Sequence, residues 1–130
     1  EPIFLMIDST MITQAFTNLV KNAGEAIETY INTKKSFNYK PFIVIDVKDS
    51  KIETVIKITD NGIGLPKDRS RLFEPYVTTR EKGTGLGLSI VKKIIEEHGG
   101  ELTLEDAPAL ENEPKLGTAV KIKIFKTELK

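Results

Sequence analysis

Residues 52–64 read IETVIKITDNGIG. Side chains along a strand alternate between faces, so Ile52, Thr54, Ile56 and Ile58 share one side, and the same count carries Asp60 onto it. The run follows FIVIDVK (42–48) across Asp49, Ser50 and Lys51. Two β-rich runs so closely joined predict an antiparallel hairpin. An inward aspartate needs a partner, because burying an unpaired carboxylate is costly. Two readings stay open at this point. Asp-Asn-Gly can form a turn capped by its own carboxylate. Alternatively, Asp60 aims into a pocket and accepts a hydrogen bond from a ligand amino group, while Gly62 and Gly64 let the ligand come close.

The elements on either side complete the layout. IFLMI (3–7) reads as a short strand, and Asp8, Ser9 and Thr10 are good helix N-caps. From near Thr10, Ile12, Ala15, Phe16, Leu19, Val20, Ala23, Ala26, Ile27, Tyr30 and Ile31 hold a helical spacing. A polar loop is expected over 32–41, and irregular chain over 67–82. A second helix runs from Leu86 to Glu97 and stops at Gly99-Gly100. ELTLE (101–105) and TAVKIKIF (118–125) are strands separated by a loop. In the last strand Val120, Ile122 and Ile124 face inward, in phase with Thr118, while Lys121 and Lys123 face outward. The order predicts an α+β fold: a two-layer α/β sandwich, its sheet mixed but mainly antiparallel, with helices on one face.

At 130 residues the chain fits a single domain, 1–130. Lysine plus arginine equal aspartate plus glutamate at 19 each, which gives no support to a broad nucleic-acid or membrane-surface interface. There is no cysteine, so thiolate metal sites and disulfides are excluded. No apolar run approaches the ~18 residues of a membrane helix, and a cytoplasmic location is expected. The chain opens on Glu1-Pro2 and is read as a piece of a longer protein.

The other chemistry-bearing stretch is REKGTGLGLSIV (80–91), with Gly83, Gly85 and Gly87 beside Arg80 and Lys82. The spacing fits neither a Rossmann fingerprint nor a Walker loop. A glycine-rich turn that feeds a helix N-terminus does offer free N–H groups and a positive dipole end, a site for phosphate. The alternative is a flexible lid or a plain helix start. On the first helix Asn18, Asn22 and Glu25 form one stripe, with Asn22 bordering the apolar face. They make either a solvated edge or, through the Asn22 amide oxygen, a Mg²⁺ ligand. His98 is the single histidine and is expected to cap the second helix, where a cation is favoured. Nothing suggests a Ser/His/Asp set or a histidine pair for a metal.

NLVKNAGEAI (18–27), DNGIG (60–64), LFEPYVTTR (72–80), GTGLGL (83–88) and GTAV (117–120) occur in that order. Together they give the chain, from about Ile3 to Phe125, a resemblance to the ATP-binding catalytic domain of bacterial sensor histidine kinases, of the Bergerat (GHKL) fold. Within that group NAGEAI and the stretch from LFEPYVTTR to GTGLGL look most like the nitrogen-regulation kinases of NtrB/NtrY type. The resemblance implies that Asn22 holds Mg²⁺ bridging the phosphates, with Asn18 nearby. It implies that Asp60 binds the adenine amino group, with Gly62, Gly64 and Thr118 around the base. Gly83, Gly85, Leu86, Gly87 and Leu88 would form the second glycine box at the phosphates, beside Arg80 and Lys82. Phe73 and Tyr76 would anchor the lid. The implied reaction donates the γ-phosphate of ATP to a histidine on a separate dimerisation domain, with a response regulator as the later partner. No nucleic-acid or direct membrane contact is implied, and a monomeric fragment is expected. Two features depart from the family pattern. Glu25 stands where many relatives carry lysine, and Asn18 stands where the ATPase branches carry the glutamate that activates water. The phosphoacceptor histidine is not in the sequence, and His98 is no substitute.

Overall fold

The computed structural model describes residues 7–34, 39–65, 73, 87–107 and 117–126. The strand expected over 3–7 falls, apart from Ile7, outside these residues, as do most of the irregular stretch 67–82 and of the loop before Gly117.

Helix α1 spans Ser9–Lys34. Asp8 is its N-cap: Oδ1 accepts the Met11 N–H at 3.0 Å, and the carbonyl accepts the Ile12 N–H at 2.9 Å. The helix runs past the expected stop near Ile31, because no glycine or proline interrupts residues 32–34 and each added residue extends a helix already nucleated. Ile12, Ala15, Leu19, Ala23 and Ala26 are its buried stripe. Val20 and Ile31, expected on that stripe, are 40% and 47% exposed. At ~100° per residue both stand about 100° or more from its centre.

The described sheet has the order β1-β2-β4-β3, with β1 Ile43–Asp49, β2 Glu53–Asp60, β3 Glu101–Asp106 and β4 Thr118–Phe125. All three pairings among these strands are antiparallel. β2 buries every second residue, Thr54, Ile56, Ile58 and Asp60. Ile52 does not join them. It lies in the hairpin turn that the Ser50 N–H closes on the Glu53 carbonyl at 2.9 Å, and it is 70% exposed. Helices α1 and α2 (Gly87–Glu97) cover the same face of the sheet. Leu19, Ile58, Val91, Ile95 and Ile122 are almost fully buried between the layers, each contributing roughly 1.5–3 kcal/mol of transfer free energy.

The close of α2 has three parts. Gly99 takes a positive φ of 71°, and the N–H groups of Gly99 and Gly100 return to the carbonyls of Glu96 and Ile95, both at 2.9 Å, a Schellman cap. Gly100 also lies against β4, where a Cβ would stand 2.5 Å from the Lys123 carbonyl oxygen. His98 does more than cap. Its Nδ1 lies 2.8 Å from the Ile94 carbonyl, and its Nε2 accepts the Asp8 N–H at 2.9 Å. With Nε2 accepting, the tautomer that suits both contacts has its proton on Nδ1, which donates to the Ile94 carbonyl. The ring fastens the end of α2 to the start of α1.

At the same end of the sheet, on its β1–β2 side, Asp49 accepts from Thr54 Oγ1 and from Lys126 Nζ, both at 2.7 Å. The hydrogen bond from Lys126, with that from Thr54, holds the Asp49 carboxyl below its usual range. A lowered carboxylate pKa stabilises the fold fully above the unfolded value near 4, and that contribution fades as pH falls through the folded-state pKa. Asp49→Asn is therefore expected to lower Tm at pH 7, with the two proteins converging in melts taken below about pH 4. A gap in Tm that stays constant down to acid pH would contradict this account.

Candidate functional site

Strand register brings Ile43, Asp60, Thr118 and Asp106 into one row across the four strands. Asp60 and Thr118 are 4% and 8% exposed, so the two inward residues expected from sequence meet as neighbours on β2 and β4. Asp106, half-buried beyond Thr118 and about 10 Å from Asp60 at the usual strand spacing, was not singled out by sequence. It falls at the edge of a strand expected to end one residue earlier.

The carboxylate is anchored by its own turn: Asp60 Oδ1 accepts the Gly62 N–H at 2.8 Å. The next N–H, of Ile63, donates to the Ala26 carbonyl of α1 at 3.0 Å. These contacts revise the expected reason for the glycines. A Cβ on Gly62 would run into the backbone of Ala26 and Ile27, so helix α1, rather than an approaching ligand, demands glycine there. Gly64 has a positive φ of 85° and abuts Gly117, whose own missing Cβ makes room for the Asp60 carbonyl.

Asn61 is the centre of a clamp that sequence did not reveal. Its Oδ1 accepts the Phe42 N–H at 3.0 Å, its Nδ2 donates to the Lys40 carbonyl at 2.9 Å, and its own carbonyl accepts the Tyr39 hydroxyl at 2.8 Å. Tyr39 packs on Tyr30 with ring centroids 4.2 Å apart. Burial first, then the nearby Asp60 carboxylate and Tyr30, push the Tyr39 phenol above its ordinary pKa. Tyr39 lies in the stretch read only as polar loop, and no spacing marks it.

The second cluster lies where α1 meets the start of α2. Asn22 is half-buried, and a Cβ on Gly87 would stand 3.5 Å from both its Oδ1 and its Nδ2. The Asn22 carboxamide thus faces the first turn of α2, where backbone N–H groups lack helical partners and the dipole is positive. An amide oxygen suits Mg²⁺, which commonly takes few protein ligands and fills its shell with water and phosphate oxygens. Among the described residues no group of three or more His, Cys, Asp or Glu is placed to hold a metal. Asn18 and Glu25 are half-buried on the same helix, and Leu88 packs against the core. Phe73 lies under the Lys92 ammonium, 5.6 Å from ring centroid to Nζ. Tyr76, Arg80, Lys82, Gly83, Gly85 and Leu86 lie outside the described residues.

One helix joins the two clusters. Asn22 and Ala26 are a turn apart on α1, about 6 Å along its axis. Asn22 meets the N-terminus of α2, and the Ala26 carbonyl holds the turn after Asp60. Among the described residues no helix is long and apolar enough to cross a membrane.

Residues 7–128 match the family model described as histidine kinase-, DNA gyrase B-, and HSP90-like ATPase. The nitrogen regulation protein NtrY of Azorhizobium caulinodans is 52% identical over 102 residues, 78% of this chain and 13% of that protein. The sensory histidine kinase/phosphatase NtrB of Rhodobacter capsulatus is 39% identical over 109 residues, 78% of this chain and 30% of that protein. The chain thus spans well under two thirds of these relatives. Among solved structures, a mycobacterial sensor histidine kinase, MprB, superposes with a TM-score of 0.74 at 27% identity, covering 93% of this chain and 74% of that one. The nucleotide-free catalytic domain of histidine kinase ThkA gives 0.70 at 32% identity, covering 95% and 73%. By sequence and by fold, the chain is a member of the histidine kinase-, DNA gyrase B- and HSP90-like ATPase family and has NtrY and NtrB sensor kinases among its relatives.

Proposed function

We propose that this chain binds Mg-ATP and presents the γ-phosphate to a histidine on a separate dimerisation domain of a two-component sensor kinase. The observation that carries the reading is the pair of clusters one turn apart on α1: the buried Asp60 beside Thr118, and Asn22 against the start of α2. Adenine sits at the first cluster, with its amino group donating to Asp60 and with Thr118 alongside. The phosphates lie toward the second cluster, on the N–H groups of α2 and the box Gly83, Gly85, Leu86, Gly87 and Leu88, with Arg80 and Lys82 as counter-charges. Asn22 holds Mg²⁺, with Asn18 nearby, and the ion supplies neutralisation of phosphate charge. Phe73 and Tyr76 anchor the lid. The chain's own contribution is positioning and charge complementarity. The attacking nitrogen comes from the other domain.

In the longer protein this places the chain in the cytoplasm, with a response regulator as the later partner and a membrane anchor, where there is one, outside this segment. The relatives' names support nitrogen regulation as the setting.

Asp60→Asn is expected to weaken ATP binding by roughly 10- to 150-fold, corresponding to loss of a charge-assisted hydrogen bond. Titration calorimetry checks it, and an unchanged affinity in a folded variant removes Asp60 from the site. Asn22→Ala should abolish the gain in ATP affinity that Mg²⁺ gives the parent. The reaction class is tested by supplying labelled ATP to a longer chain that carries the upstream helices. Acid-labile label on histidine is expected. Steady phosphate release without protein label, abolished by Asn22→Ala, would point to an ATPase instead, and Asn18 at the position of the water-activating glutamate argues against that outcome.

A further inference from the structure

One peptide group that holds Asp60 is itself held from its other end. The Gly62 N–H that donates to Asp60 Oδ1 at 2.8 Å and the Asn61 carbonyl that accepts the Tyr39 hydroxyl at 2.8 Å belong to the same peptide unit. Such a unit rotates by trading ψ of one residue against φ of the next. With glycine at 62 no Cβ opposes the change in φ. A rotated peptide would point its carbonyl at the Asp60 carboxylate and leave that carboxylate buried without this donor. The Tyr39 hydroxyl, which also lies 3.1 Å from Asn61 Oδ1, opposes the rotation through its shorter hydrogen bond to the carbonyl. It also polarises the peptide, since a hydrogen bond accepted at C=O strengthens the N–H as a donor. The phenol is itself held in place. Its ring packs on Tyr30 at 4.2 Å, and the neighbouring backbone is pinned by the Asn61 side chain through the Lys40 carbonyl and the Phe42 N–H.

The geometry points to Tyr39 as a positioning residue for base recognition: through the Asn61–Gly62 peptide it sets the orientation of the Asp60 carboxylate toward an aminopurine. This rests on the reading of Asp60 as the adenine ligand. It adds a residue of the α1–β1 connection to the site, acting at one remove from the nucleotide.

The test compares Mg-ATP with magnesium tripolyphosphate, which carries the phosphates without the base, in titrations of the parent chain, Tyr39→Phe, Asp60→Ala and the double variant. Tyr39→Phe keeps the ring against Tyr30 and removes only the donor. It is expected to weaken ATP about three- to tenfold, as for loss of one neutral hydrogen bond. Tripolyphosphate binding should not change, and in the Asp60→Ala background Tyr39→Phe should have no further effect on ATP. ATP affinity equal to the parent's overturns the inference. So does an equal loss for ATP and tripolyphosphate, which is what general loosening of the fold would give. A second readout does not depend on the variant folding. The Gly62 amide proton of the parent should resonate far downfield, as expected for a donor to a carboxylate, and an ordinary shift overturns the proposal. If the parent itself binds no ATP, or Asp60→Ala binds it unchanged, it is the adenine reading that fails. If both behave as proposed and Tyr39→Phe matches the parent, only the role of Tyr39 falls.

Discussion

A carboxylate at the buried end of a central strand constrains everything around it. Asp60 is 4% exposed, and an ionised group at that depth is tolerated only with hydrogen-bond donors aimed at it. The first of them comes from its own turn. For that turn to close, the chain must pass so near α1 that residue 62 has no room for a side chain, and so near the Gly117 segment that residue 117 has none either. Gly62, read in the sequence as clearance for a ligand, is therefore clearance for the protein's own backbone, and so is Gly117.

The same constraint explains the role of α1. It is the helix against which the Asp60 turn docks, through the Ala26 carbonyl, and it carries Asn22 to the first turn of α2. Both clusters of the proposed nucleotide site are referred to a single rigid element, so their spacing is fixed by helix geometry rather than by loop length. His98 adds a tie at the other end of the two helices, with one ring nitrogen on α2 and the other on the Asp8 N–H. The relation between the helices is thus held near both ends of α2.

The features legible in the sequence and those hidden from it divide along physical lines. Period-two alternation in β2 and β4 and period-3.6 spacing in α1 and α2 are properties of consecutive residues, so the pattern alone places Asp60 and Thr118 inward. The ordered motifs point to the ATPase family to which the chain belongs. Contacts across long separations leave no such trace. Tyr39 reaches Asn61 over 22 positions and His98 reaches Asp8 over 90, and each sits in a stretch whose composition reads as loop or cap. Ile52, Val20 and Ile31 depart from their expected burial because apolar character alone does not say where a strand begins or how wide a helix's buried face is.

The most direct test of the central claim is a crystal structure of the chain with Mg²⁺ and a non-hydrolysable ATP analogue. The account predicts the adenine amino nitrogen within about 2.7–3.2 Å of the Asp60 carboxylate, and Mg²⁺ about 2.0–2.1 Å from the Asn22 amide oxygen. A base bound away from Asp60, or a cleft filled by the protein's own side chains while the analogue sits elsewhere, would contradict it.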